Sequence, residues 1–178
     1  MKKLMTICLV MALIAGTANA TITFDEFPVG TVISNQYAAE GVIFSAGDIS
    51  QLLPIIYLDG AMPSEPVLSP QEPYAGDFWM QFTVSTNNVQ FLSGYWNDIG
   101  TAIINVYDPG MNLLANLTNT TTGPELISIS GLGDIGYVYF NSLEDIAGGD
   151  IDNLSVPEPA TMALLGLGSL VLLKKRRA

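Results

Sequence analysis

The stretch "FWMQFTV", residues 78–84, alternates with a period of two. Phe78, Met80, Phe82 and Val84 share one side of an extended chain, and Trp79, Gln81 and Thr83 share the other. Successive side chains of a strand point to opposite faces, so one face of this segment suits a core. "PELISIS" (124–130) and "GYVYFN" (136–141) alternate likewise, with Val138 and Phe140 opposite Tyr137 and Tyr139. Further short strands are expected at 22–24, 30–34, 41–45, 53–58, 88–94, 101–107, 111–117 and 151–156. Turn-forming groups separate them: "EFPVG", "SAGD", "LDGAMPSEP", "DPGMN", "GLGDIG" and "IAGGD". "SNQYAAEG" (34–41) has room for one helical turn, and "PSEPVLSPQEP" (63–73) reads as a long loop stiffened by proline. Many short strands with frequent turns predict an all-β antiparallel β-sandwich or jelly roll.

Charge divides the chain more sharply than hydropathy does. Its six basic residues are Lys2, Lys3, Lys174, Lys175, Arg176 and Arg177, all near the ends. Residues 21–157 carry 16 of the 17 acidic residues and no Lys, Arg or His. Such a body repels nucleic acid and anionic membrane surfaces, so neither is an expected partner. Its carboxylates must be solvated, bonded to neutral donors, or matched by external cations. The only cysteine, Cys8, lies in the N-terminal apolar run, so the body has no disulfide framework and no thiol chemistry.

The two ends read as addresses. "MKKLMTICLVMALIAGTANA" (1–20) has a cationic start, an apolar run from Leu4 to Ala15, and small residues at Ala18 and Ala20. That is the pattern of a secretory signal peptide cut after Ala20. A first transmembrane helix is the alternative, but the run is short of the ~20 residues a span needs. At the other end stand Pro157-Glu158-Pro159, an uncharged stretch from Ala160 to Leu173, and the cations Lys174 to Arg177. As a helix the 14 uncharged residues reach only ~21 Å, against a hydrocarbon core of ~30 Å. The basic cluster would stay cytoplasmic and hold the acidic domain outside. These features fit equally a plain tail anchor and an anchor held until something acts on the motif.

"VPEPATMALLGLGSLVLLKKRRA" (156–178) resembles the PEP-CTERM sorting signal of exported proteins in Gram-negative bacteria that make exopolysaccharide. The resemblance implies recognition by an exosortase in the inner membrane after passage through the secretion machinery. It also implies processing near Pro157, Glu158 and Pro159, and delivery to the cell surface or matrix. The body, with "ITFDEFPVGTVISNQYAAEGVIFS" (22–45) and "IDNLSV" (151–156), is similar to jelly-roll domains found ahead of that signal. The expected organisation is a leader at 1–20, a β-sandwich at 21–156 and the sorting signal at 157–178.

Within the body, catalysis lacks its usual parts. Without His, Cys, Lys or Arg there is no triad base, Schiff-base amine, thiolate or arginine clamp. A carboxylate pair for glycan hydrolysis remains as an alternative, but "EDIAGGDID" (144–152) is the nearest to a dense acidic run and its double glycine reads as a turn. The expectation is a non-enzymatic protein associated with exopolysaccharide, with a carbohydrate-binding adhesin as the alternative. Asp25 and Glu26 follow the first strand while Asp150 and Asp152 open the last. If those strands are neighbours, the four carboxylates are candidate ligands for Ca²⁺, a hard cation that takes oxygen donors. Asp152 shares strand parity with Leu154 and Val156, which predicts an inward side chain in need of a partner. The other reading is that these acids are solvated turn residues, with Asp152 bonded to backbone. Trp79, Tyr95, Trp96, Tyr137 and Tyr139 suit a sandwich core. Yet Trp79, Tyr137 and Tyr139 fall opposite the core positions, where rings can stack on sugars. "NLTNTT" (116–121) holds two N-x-[ST] tripeptides and reads as a polar strand-to-turn region.

Overall fold

The computed structural model describes residues 19–47, 52–58, 60, 62–70, 75–145 and 148–157. Ala18, residues 158–178 and the calls that fall on them, Glu158, Pro159, Lys174, Lys175, Arg176 and Arg177 included, lie outside the described residues. Every regular element described is a strand: β1 (Asn19–Ile22), β2 (Val42–Ala46), β3 (Ile55–Tyr57), β4 (Val67–Ser69), β5 (Asp77–Trp96), β6 (Ile103–Tyr107), β7 (Leu113–Leu117), β8 (Gly123–Asn141) and β9 (Asp150–Pro157). All pairings are antiparallel. The strands follow the order β3-β4-β9-β5-β8-β6-β7, with β1 on β9 and β2 on β5.

Two long strands make the sandwich. β5 has 20 residues and β8 has 19, so straight they would each run ~65 Å, too far for one layer of a domain this size. They bend together instead. Their ladder slips between Gln81–Tyr137 and Thr86–Ile135, and again before Asn88–Ser130. The first half of β5 and the second half of β8 join β2, β6 and β7 in one layer. The other halves join β9, which carries β1 and β4 on its far side, with β3 beyond β4. Between the layers, Phe140 stacks on Phe78 at 5.1 Å and meets Phe91 at 6.4 Å and Trp96 at 6.0 Å. Phe24, Tyr37 and Phe44 extend this core edge to face.

The bend explains several departures from the alternation argument. Segments 78–84 and 88–94 are one strand, as are 124–130 and 136–141. Phe78, Met80 and Phe82 are core, but Val84 is 61% exposed, because the chain leaves the first layer after Phe82. "GLGDIG" is no terminating turn; Gly131 and Gly133 supply left-handed backbone (φ 74° and 88°) inside β8. The expected loop at 63–73 contains β4, whose Val67, Leu68 and Ser69 are all buried. Residues 30–34 form no strand; Val32 makes a lone bridge to Ile55. Residues 34–41 form successive turns through Ala38 N–H to Asn35 O and Gly41 N–H to Ala38 O, not a helix. β1 starts at Asn19 and ends at Ile22, and Phe24 turns away with a φ of 61°.

Candidate functional site

The outer face of the first layer gathers the expected rings. Register sets Ser45, Trp79, Tyr139, Asn105 and Asn116 in one row across five strands. The next row runs Ile43, Gln81, Tyr137 and Tyr107. Because residues directly opposite share a face, Trp79, Tyr107 and Tyr137 form a contiguous aromatic surface edged by amides. Trp79 lies 5.4 Å from Tyr107 and 4.8 Å from Tyr139, ring centre to ring centre. Asn116 Nδ2 donates to Asn105 Oδ1 at 2.6 Å, which leaves the pair, among the described residues, one amide donor group and one carbonyl for outside hydroxyls.

Tyr139 differs from the expectation. It is only 8% exposed, covered by Trp79, and its hydroxyl donates to Asp77 Oδ2 at 2.7 Å and accepts from Asn141 Nδ2 at 3.1 Å. It holds Trp79 from beneath and is not itself a stacking ring. The buried Asp77 carboxylate fits because residue 47 is glycine; a Cβ there would stand 2.2 Å from Asp77 Cγ. Tyr107 and Asn105 are the residues sequence reading missed. Their shared parity in 101–107 was visible, but only the pairing with β8 shows which sheet face they join. Tyr95 is exposed on the second half of β5, and Trp96 is wholly buried in the core.

The four candidate calcium ligands are divided. β1 does pair with β9, yet Asp25 and Glu26 are exposed while Asp150 and Asp152 are buried. Among the described residues, no group of three or more His, Cys, Asp or Glu is placed to hold a metal ion. Glu26 accepts from the Tyr37 hydroxyl at 2.9 Å; burial, then this bond, push the Tyr37 ionisation well above the usual tyrosine range. Asp152 is buried, as parity predicts, but the face is different. The register slips between Gln90–Ser155 and Leu92–Asp152, with Asn153 at a φ of 50°. That bulge sets Asp152 opposite Leu92, away from Leu154 and Val156. Its Oδ2 accepts from Ser64 Oγ and, at 2.9 Å, from Asn153 Nδ2, while Oδ1 is buried with no hydrogen-bond partner among the described residues. Burial raises the Asp152 carboxyl above its ordinary range; the Ser64 and Asn153 bonds only partly offset this, and Asp25 adds repulsion.

Other polar groups shape loops. Asp145 accepts from Asn97 N–H at 2.9 Å, Asp98 N–H at 3.3 Å and Thr101 Oγ1 at 2.9 Å. Asn119, in "NLTNTT", is buried and uses both ends of its amide. It accepts from Gly100 and Ala102 N–H and donates to the carbonyls of Asp98 and Thr121. It is a loop staple, as a polar strand-to-turn region requires.

Known proteins share features with the C-terminal segment and with the fold. Residues 155–177 match the PEP-CTERM protein-sorting motif. The chain carries a PEP-CTERM sorting signal. The signal implies export, transient membrane anchoring and processing by an exosortase. No curated protein matches the chain in sequence. Among solved structures, the K2 cleaved adhesin domain of Lys-gingipain is similar at a TM-score of 0.51 and 11% identity, over 81% of this chain and all of that one. An arabinose-bound α-L-arabinofuranosidase gives 0.45 and 12%, over 79% of this chain and 26% of that one. A point mutant of the carbohydrate-binding module CBM29-2 gives 0.35 and 18%, over 66% and 90%. At such identities the first likeness concerns fold alone, and it is a likeness between β-sandwiches.

Proposed function

We propose that this PEP-CTERM protein is a non-enzymatic binding module of the cell surface or extracellular matrix that associates with exopolysaccharide. The carrying observation is the outer face of the first layer, where Trp79, Tyr107 and Tyr137 lie side by side with Asn105 and Asn116 on adjoining strands. Flat rings offer a negative π-face to the C–H face of a sugar, and amides bond its hydroxyls. A body without His, Cys, Lys or Arg in residues 21–157 supports binding over catalysis. The adhesin-like fold is compatible with this role.

Affinity electrophoresis of the exported protein in gels containing matrix polysaccharide tests the reading. Retention is expected without release of reducing ends, and Trp79→Ala should weaken it about tenfold, since loss of one stacked ring removes roughly 1 kcal/mol or more. Undiminished retention of a folded Trp79→Ala variant, or accumulation of reducing ends, would sink it.

A further inference from the structure

The sorting signal and the fold overlap. Ser155, Val156 and Pro157 begin the matched segment and also end β9. Their partners on β1 are Thr21, Ala20 and Asn19. The bond expected to be cut on export, Ala20–Thr21, therefore lies inside this ladder. Cutting there leaves Thr21 and Ile22 on Ser155 and Leu154, and strips Asn19 and Ala20 from Pro157 and Val156. On the opposite side of β9 the β5 register ends at Gln90–Ser155. The edge stripped in this way presents polar backbone groups at Val156 and, at Pro157, a carbonyl without an N–H, and such unpaired groups template an added strand.

We propose that removal of the leader after Ala20 frees the edge of β9 at Val156 and Pro157, and that the processing protease engages the sorting signal on this freed edge by strand addition. The inference rests on the leader and exosortase readings above. In the uncut chain Asn19 and Ala20 occupy the edge, so the end of the leader holds the start of the sorting signal within the fold. Paired backbone is cut only after local opening. The N-terminal cut thus sets the pace of the C-terminal one.

The test uses the full chain in a strain with a working exosortase, read by N-terminal sequencing and intact mass. Ala18→Leu with Ala20→Leu blocks the first cut by placing bulk at both small positions. C-terminal processing should then slow about tenfold, the equivalent of roughly 1.4 kcal/mol. A four-residue Gly-Ser spacer between Val156 and Pro157 carries the motif clear of the ladder and should restore processing in the blocked chain. Processing of the blocked chain at the normal rate overturns the proposal. So does failure of the spacer to restore it when the same spacer is processed normally in a chain with its leader removed, because tethering and not pairing is then the cause. A mature N-terminus that retains Asn19 and Ala20 overturns the leader reading, and the proposal with it; that result is read from the N-terminal sequence alone.

Discussion

Asp152 shows how one bulge decides the surroundings of a charge. It is 1% exposed, and among the described residues its carboxylate takes its bonds from the neutral donors Ser64 and Asn153. Burial is the largest influence on its ionisation and raises it above the ordinary 3.8. The native state therefore keeps a proton at pH values where the unfolded chain has lost it. Between 3.8 and the raised native value, stability falls as pH rises, and above that value the full cost of the buried charge remains. Asp152→Asn keeps an oxygen for Ser64 and removes the charge. We expect the variant to be more stable than the parent at pH 7, with the gain fading toward pH 4. Urea midpoints between pH 4 and 8 measure the difference, and a gain that is absent at pH 7 or grows on acidification contradicts it. Glu125 runs the other way. Burial alone would raise its carboxyl, but bonds from Thr120 and Thr121 outweigh that and hold it below 4.5. Its contribution is present above that pH and lost below it, in parent and variant alike, so it cancels from the comparison.

Elements meet tightly where Gly148 and Gly149 lead into β9. Gly148 has a φ of 75°, and a Cβ on Gly149 would stand 2.2 Å from Cη2 of the buried Trp96. Trp96 cannot retreat, because Phe140 packs against it at 6.0 Å. Gly149→Ala should lower stability by about 1–3 kcal/mol, as overpacking of a filled core does, and the midpoint of thermal unfolding reads it. An unchanged midpoint would mean that the turn simply moves aside. The double glycine was legible as a turn in the sequence, whereas the ring it accommodates was not, since Trp96 is about fifty positions away. The same division runs through the fold. Period-two segments at 78–82 and 136–141 announced strands and their core faces, because parity is local. That β5 and β8 each serve two layers was hidden, because a bend in a strand and a turn between strands both recruit glycine and polar residues. Trp79 and Tyr137 could be placed on the outer face by parity. Tyr139, of the same parity, is covered by Trp79 and bonded to Asp77, and only cross-strand register reveals that.

At the scale of the whole molecule, 16 acids share residues 21–157 with no Lys, Arg or His. The fold answers locally: Asp145, Glu125, Asp108 and Glu26 each take bonds from hydroxyl, amide or backbone donors. Neutral donors satisfy lone pairs but leave the charge in place, so mutual repulsion persists across the domain. Its reach depends on salt. The screening length is ~30 Å at 0.01 M and ~8 Å at 0.15 M, against a radius of gyration of about 14 Å for a domain of this length. At the lower concentration nearly every carboxylate feels most of the others; at the higher one only neighbours interact. The thermal midpoint of the exported protein should rise by several degrees between ~0.01 M and ~0.15 M sodium chloride. It should change little beyond that, since the remaining close contacts are screened weakly. A midpoint that is flat or falls over the first interval would mean that the repulsion is already neutralised. Glycan retention gives the complementary reading, because rings and amides carry no net charge. Retention on a neutral polysaccharide should stay constant over the same salt range in which stability climbs. If retention instead tracks ionic strength, contact runs through the acidic surface and not through Trp79 and its neighbours.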